Sequence, residues 1–225
     1  MKVLTTIFLL VFSLLSYGSE DLSKTTYIYH KATEGQEKPS QTSWVLEQKK
    51  SQWLLNGESL GGKTQLIAGP TQTETQSFSY VSKHSDNQYR IHREGNSLQA
   101  LRKTQEGKIE KHFPLNGEAW VQEFDFSFRP FIRSKCDEFK FCIVHPKKLS
   151  LHHMVAYKLG TDPITIHEKT FQALKVKVTL RGLKKLFWHA DLWFDPKSGD
   201  LLKYQANEGP NTPTSTITLI SKEVD

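Results

Sequence analysis

The chain has 225 residues, 37% hydrophobic and 24% charged, with 30 basic against 24 acidic side chains. Beyond the N-terminal stretch nothing is apolar for the roughly 20 residues a spanning helix needs, so the composition is that of a soluble globular protein. The basic excess is scattered over pairs such as Lys49-Lys50, Lys147-Lys148 and Lys184-Lys185 and surrounds no nucleic-acid module. It leaves two readings, a solvated basic face or peripheral contact with an anionic envelope surface, and no nucleic-acid partner.

Residues 1–18 read as an export signal. Lys2 gives the positive start, Val3 to Leu15 the apolar stretch, and Ser16-Tyr17-Gly18 the small residues of a cleavage site. No cysteine follows to carry a lipid. The expectation is an exported protein, periplasmic or alternatively secreted, with residues 19–225 as a single antiparallel β domain.

Strand signals dominate from there. Thr25 to Lys31, Ser43 to Leu55 (broken near Lys50-Ser51), Lys63 to Ala68, Gln76 to Lys83, Gln88 to Arg93, Leu98 to Thr104 and Lys108 to Phe113 are rich in aromatic and β-branched residues. Ser85-Asp86-Asn87, Glu94-Gly95-Asn96 and Glu106-Gly107 between them are hairpin punctuation, and Asn56-Gly57 reads as another turn. Trp120, Phe124, Phe128 and Phe131 share a helical face while Phe124, Phe126 and Phe128 also fit strand alternation; length and flanking charge favour a short helix from Glu118 to Phe128, with Pro130 ending it. Phe171 to Arg181 alternates cleanly, Val176, Val178 and Leu180 opposing Lys175, Lys177 and Thr179. Leu186 to Phe194 is the next strand, Asp195-Pro196-Lys197-Ser198-Gly199-Asp200 a turn, and Leu201 to Gln205 and Thr214 to Ser221 complete the set. The fold class is mostly β: a single curved antiparallel sheet, a meander forming an open half-barrel, with one short helix packed on it.

No reactive constellation emerges. Gly57-Glu58-Ser59-Leu60-Gly61 matches a nucleophile elbow in letters, but no helix can follow it before Gly69-Pro70. His152 and His153 are strand neighbours that point to opposite faces, and His30, His92 and His189 are scattered. Asp191 and Asp195 read as a strand-face residue and a turn former, and Gly61-Gly62-Lys63-Thr64 lacks the upstream glycine of a phosphate loop. The expectation is a protein without catalytic residues, metal or cofactor. Cys136 and Cys142, the two cysteines of an exported chain, favour a disulfide closing a short loop, with metal ligation as the alternative.

The aromatic residues carry the binding expectation. Phe187, Trp188, Trp193 and Phe194 put large apolar groups on both faces of one strand, which means two packed layers or one layer and a cavity. A helix over the concave face of a curved sheet makes an apolar groove, and Trp120, Phe124, Phe128, Phe187, Trp188 and Trp193 are its expected lining. The export signal, the meander, the helix and the run Trp193 to Tyr204 (WFDPKSGDLLKY) together resemble bacterial envelope proteins built like the half-barrel of the LolA/LolB lipoprotein carriers. That resemblance implies an unclosed barrel with an apolar interior that carries or senses a lipid or a lipoprotein. It transfers no binding-site residue to this chain.

Overall fold

The computed structural model describes residues 23–186, 188–207, 209 and 212–225; the export signal and Phe187 lie outside them. Fifteen strands follow one another among the described residues: β1 (Lys24–Thr33), β2 (Ser40–Lys49), β3 (Gln52–Ser59), β4 (Gly62–Ala68), β5 (Thr75–Ser82), β6 (Gln88–Glu94), β7 (Ser97–Thr104), β8 (Gly107–Pro114), β9 (Ala119–Trp120), β10 (Glu138–His145), β11 (Ser150–Ile166), β12 (Lys169–Leu180), β13 (His189–Phe194), β14 (Leu201–Ala206) and β15 (Ser215–Val224). They make one sheet in the order β8-β7-β6-β5-β4-β3-β2-β1-β15-β14-β13-β12-β11-β10-β9. Every pairing is antiparallel except β9 with β10.

Laid flat, fourteen strand spacings of about 4.8 Å would spread this sheet over roughly 67 Å. It curls instead, because strands from its two wings contact each other. The Arg102 guanidinium on β7 donates to the Lys147 carbonyl, and Lys111 Nζ on β8 donates to that of Leu149, 3.0 Å away, in the β10–β11 turn. Leu66 of β4 and Phe141 of β10 accordingly share one core, both fully buried. The expected open half-barrel is therefore present.

The helical segment differs from the expectation in position. Residues 118–123 are not helical: Ala119–Trp120 form β9 against β10, and Gln122, at a bend, is pinned between the wings. Its backbone N–H donates to Thr75 Oγ1 at 3.2 Å and its Nε2 to the Val144 carbonyl at 2.9 Å. Two short turns follow, α1 (Phe124–Ser127) and α2 (Arg129–Arg133). Pro130 stands in the first turn of α2, where its missing N–H costs no helical hydrogen bond, so it begins a turn rather than ending one. Phe128 between them meets Phe124, Phe131, Phe139, Phe141 and Phe194 at centroid separations of 5.3–6.2 Å.

Three further expectations are corrected. Asn56-Gly57 is not a turn: it lies within β3, and Gly57 pairs with Trp44. A Cβ at Gly57 would stand 2.4 Å from the Trp44 ring, so glycine here lets that ring lie across β3. The strand expected from Leu186 begins at His189, after a 3-10 turn over Gly182–Leu186. The Thr179 hydroxyl reaches the carbonyls of Lys185 and Trp188, at 3.2 and 2.9 Å, and holds that chain off the ladder. Cys136 and Cys142 are free thiols, one exposed and one buried. Cys142 lies four residues into β10, about 13 Å along a straight strand, whereas a disulfide needs Cα atoms within about 7 Å.

β10 carried no strand expectation, and β11 only at His152-His153. β11 has 17 residues and β12 has 12, so their hairpin outreaches the sheet. A register shift between Lys158 and Gly160, with Gly160 at φ +104°, marks where it bends. Ile164, Ile166 and Ala173 then pack with Trp193 and Leu202 as a second small core apart from the main one.

Candidate functional site

Alternation along the central strands places the side chains of the concave face. Tyr27, Tyr29 and Lys31 face inward from β1, and Trp44 and Thr42 lie directly across from Tyr27 and Tyr29 on β2. The register lines up a row over four adjacent strands: Leu192 on β13, Tyr204 on β14, Ile217 on β15 and Lys31 on β1. Residues Gln122 to Asp125, entering α1, pass over this row as a roof. Between floor and roof is a groove of about 350 Å³, inside the range of about 300–1,000 Å³ common for small-molecule sites. Trp44, Phe124, Tyr204, Leu192, Leu201 and Ile217 form its apolar wall, with Thr42, Ser215, Asn207 and Lys31 towards its edges.

The roof brings two carboxyl groups into this wall. Burial pushes the Asp125 carboxyl up to about 6, with the Arg129 charge working against it. Burial and then the neighbouring Asp125 hold Glu123 well above the usual carboxylate range. Asp125 Oδ1 is buried without a hydrogen-bond partner. Arg129 does not satisfy it: its Nη2 lies 2.9 Å from Asp200 Oδ1 while its Nε is likewise buried without a partner, and Lys222 Nζ lies 2.7 Å from Asp200 Oδ2. Tyr27 donates its hydroxyl to the same carboxylate at 3.2 Å. Burial would raise the Asp200 pKa, but the Arg129 and Lys222 charges and the Lys222 and Ser198 hydrogen bonds bring it below the usual value.

This latch rests on the Asp195–Asp200 turn. Asp195 Oδ1 accepts the backbone N–H groups of Lys197 and Ser198, each at 2.8 Å. Gly199 (φ +73°) then packs onto Arg129, where a Cβ would approach its backbone Cα to 3.0 Å. The turn thus fixes α2, and with it the roof, over the floor of the groove.

Of the residues expected to line a groove, Phe124 does so. Trp120 is fully buried, its Nε1 donating to Gln122 Oε1 at 3.0 Å, and Phe128 fills the core beside α1. Trp188 is half-buried at the margin and donates to the Asn207 carbonyl at 2.8 Å. Trp193 faces away from the groove, under the folded hairpin, between Lys175 and Lys203 at 5.0 and 4.9 Å from its ring. Sequence reasoning missed Tyr29, Trp44 and Tyr204. The signal for Tyr29 was its period-2 spacing from Tyr27 in β1; Trp44 and Tyr204 are the lone aromatics of their strands and carried no such pattern.

The reactive motifs come to rest in structural roles. Ser59 stands at the β3–β4 turn and donates to the Gly62 carbonyl at 3.3 Å. His152 contacts Ser150 Oγ at 2.9 Å and His153 contacts Glu118 at 2.6 Å, on opposite faces of β11. Among the described residues no three His, Cys, Asp or Glu side chains converge as a metal site would require.

Fold and groove together define an open antiparallel half-barrel with an apolar trough on its concave side. No protein-family model matches the chain, and no curated protein matches it. Several solved structures are similar to it over most of the chain. A hypothetical lipoprotein, YmcC, from Escherichia coli K12 is 10% identical, over 88% of this chain and 83% of that one, with a TM-score of 0.35. A putative outer membrane lipoprotein-sorting protein domain from Vibrio parahaemolyticus is 6% identical, over 90% and 85%, at 0.32. A LolA superfamily protein from Nitrosomonas europaea is 8% identical, over 91% and 86%, at 0.27. At these values the likeness carries no weight for function, and the functional reading rests on the groove.

Proposed function

We propose that this protein is a non-enzymatic carrier or binding protein for an apolar, lipid-like ligand or a lipidated partner, exported to the cell envelope by residues 1–18. The observation that carries this reading is the groove of about 350 Å³ between the roof at Gln122 to Asp125 and the Leu192–Tyr204–Ile217 row. The rest of the concave side is filled, with Trp120, Phe126, Phe128 and Phe141 fully buried, so one end is solid core and the other open trough. An alkyl chain laid along that trough leaves water for aromatic and aliphatic contacts, at about 25 cal/mol per Å² of apolar surface buried.

Native mass spectrometry of protein purified from its own envelope tests the reading, together with uptake of a fluorescent fatty-acid probe. A lipid-sized adduct and saturable uptake are expected. Thr42→Trp and Ser215→Trp, at half-buried groove positions, abolish uptake, whereas Trp193→Lys, on the opposite face, leaves it intact in protein that remains folded. Bare polypeptide with no probe uptake overturns the proposal.

A further inference from the structure

The outer face of β10, β11 and β12 presents a different surface. Among the large hydrophobic side chains exposed in the described residues, Tyr157, Leu159 and Leu183 belong to this one region, at 38%, 55% and 89% exposure. Tyr157 stands between Glu138 and Lys177 in the register, and its neighbour two residues back, Val155, is paired with Lys140. Leu183 projects from the 3-10 turn after β12, beside Arg181 and Lys185, and these residues rim one shallow depression. The apolar side chains are spaced singly along the face with cations between them.

The acidic groups here are already paired. Glu138 binds Lys140 at 2.9 Å, Asp191 binds Lys175 at 3.4 Å, and Glu118 is shared between Arg181 and His153. Lys177 and Lys185 are left with no ion pair among the described residues. A face with its acids neutralised, unpaired lysines and protruding aliphatic side chains complements a surface that is anionic at the headgroups and apolar just beneath.

We propose that this face docks the protein on an anionic phospholipid bilayer, with Leu183 and Leu159 entering the headgroup boundary and Lys177 and Lys185 against lipid phosphates. The proposal is independent of what the groove holds.

Sedimentation of the protein with vesicles of phosphatidylcholine alone, and of phosphatidylcholine mixed with phosphatidylglycerol, tests it. Binding at least about tenfold stronger to the mixed vesicles is expected, because each lysine near such a surface contributes roughly fivefold. That preference fades towards 1 M salt, where the screening length falls to about 3 Å. Lys177→Glu with Lys185→Glu lowers binding at least about tenfold, and Leu159→Ser with Leu183→Ser lowers it severalfold without changing charge. Lys38→Glu with Lys103→Glu, the same charge change at exposed sites in the β1–β2 loop and on β7, changes it less than about twofold, too far from the bilayer to count. Lys177 is half-buried and the other substituted side chains are exposed, and none lines the groove, so far-ultraviolet circular dichroism and fatty-acid probe uptake remain those of the parent. Equal binding to both vesicle types overturns the proposal, as does an equal loss in the control pair or no loss in the face variants.

Discussion

Replacing Asp200 with alanine strikes the contact that ties α2 to the sheet. The carboxylate is 7% exposed as a side chain and meets Arg129, itself 10% exposed, and Lys222, 36% exposed. Lys222 can swing into water when its partner goes. Arg129 cannot, since its guanidinium lies 5.0 Å from the Tyr27 ring centroid and 5.5 Å from that of Phe126. A buried cation left alone costs about 3–5 kcal/mol, and escape of Lys222 puts the expectation near the lower end, about 3 kcal/mol. Urea unfolding followed by tryptophan fluorescence reads this directly. With a slope near 2 kcal/mol per molar, the midpoint falls by about 1.5 M. Adding Arg129→Met recovers a substantial part, because the orphaned charge is gone. The sign with pH follows from the lowered Asp200 pKa. Its stabilisation is complete above the unfolded carboxyl value near 4 and is lost as pH falls through the folded value, so parent and variant converge in acid. A loss under about 1 kcal/mol at neutral pH, or a gap that widens in acid, refutes the reasoning.

The groove carboxyls predict the opposite slope: with Asp125 raised to about 6 and Glu123 also raised, their contribution to stability grows as pH falls from 8 towards 4. Glu123→Gln with Asp125→Asn therefore stabilises the protein at pH 8 by roughly 2 kcal/mol and loses that advantage by about pH 4; unfolding midpoints across pH check it, and an advantage that grows in acid contradicts it. Gly57→Ala drives a methyl into the Trp44 ring, costing about 1–3 kcal/mol of overpacking, and shifts a groove wall, so thermal stability and probe uptake fall together. Thiol titration of the native protein finds Cys136 reactive and Cys142 silent until unfolding, burial having pushed the Cys142 thiol up to about 12; reductant leaves the melting temperature unchanged.

Where one face of a strand is wet, the sequence was legible. Val176 and Val178 against Lys175 and Lys177 announce both strand and inward face, whereas Thr25 to Lys31 announces a strand without showing that Tyr29 lines a groove. Around Glu118 to Phe131 the pattern was ambiguous because Phe124, Phe126 and Phe128 satisfy both periods and are held by contacts from distant strands. Tertiary anchoring of Gln122 to Thr75 and Val144 decided the matter. Trp193 was legible as an apolar residue on the second face of its strand. That its cover is the tip of the chain's own β11–β12 hairpin depends on a bend at Gly160 that no local pattern announces. The groove was foreseen as a class of site but not residue by residue, since a wall built from β1, β2, β13, β14 and β15 exists only once their register is known.

β1 and β15 form the seam of the sheet, pairing Thr25 with Val224, while the neighbours on either side follow one another in sequence. Each wing can zip locally from hairpins as the polypeptide emerges, but the two wings fuse only when the last strand slots between the first and β14. Loop closure over nearly the whole chain makes that insertion the late, slow event of folding. Until it happens the edges of β1 and β14 are open ladders, exposed to wrong partners. A permuted chain with residues 24 and 225 joined by a short linker and opened between β8 and β9 would convert the seam into an ordinary hairpin and fold faster to the same sheet.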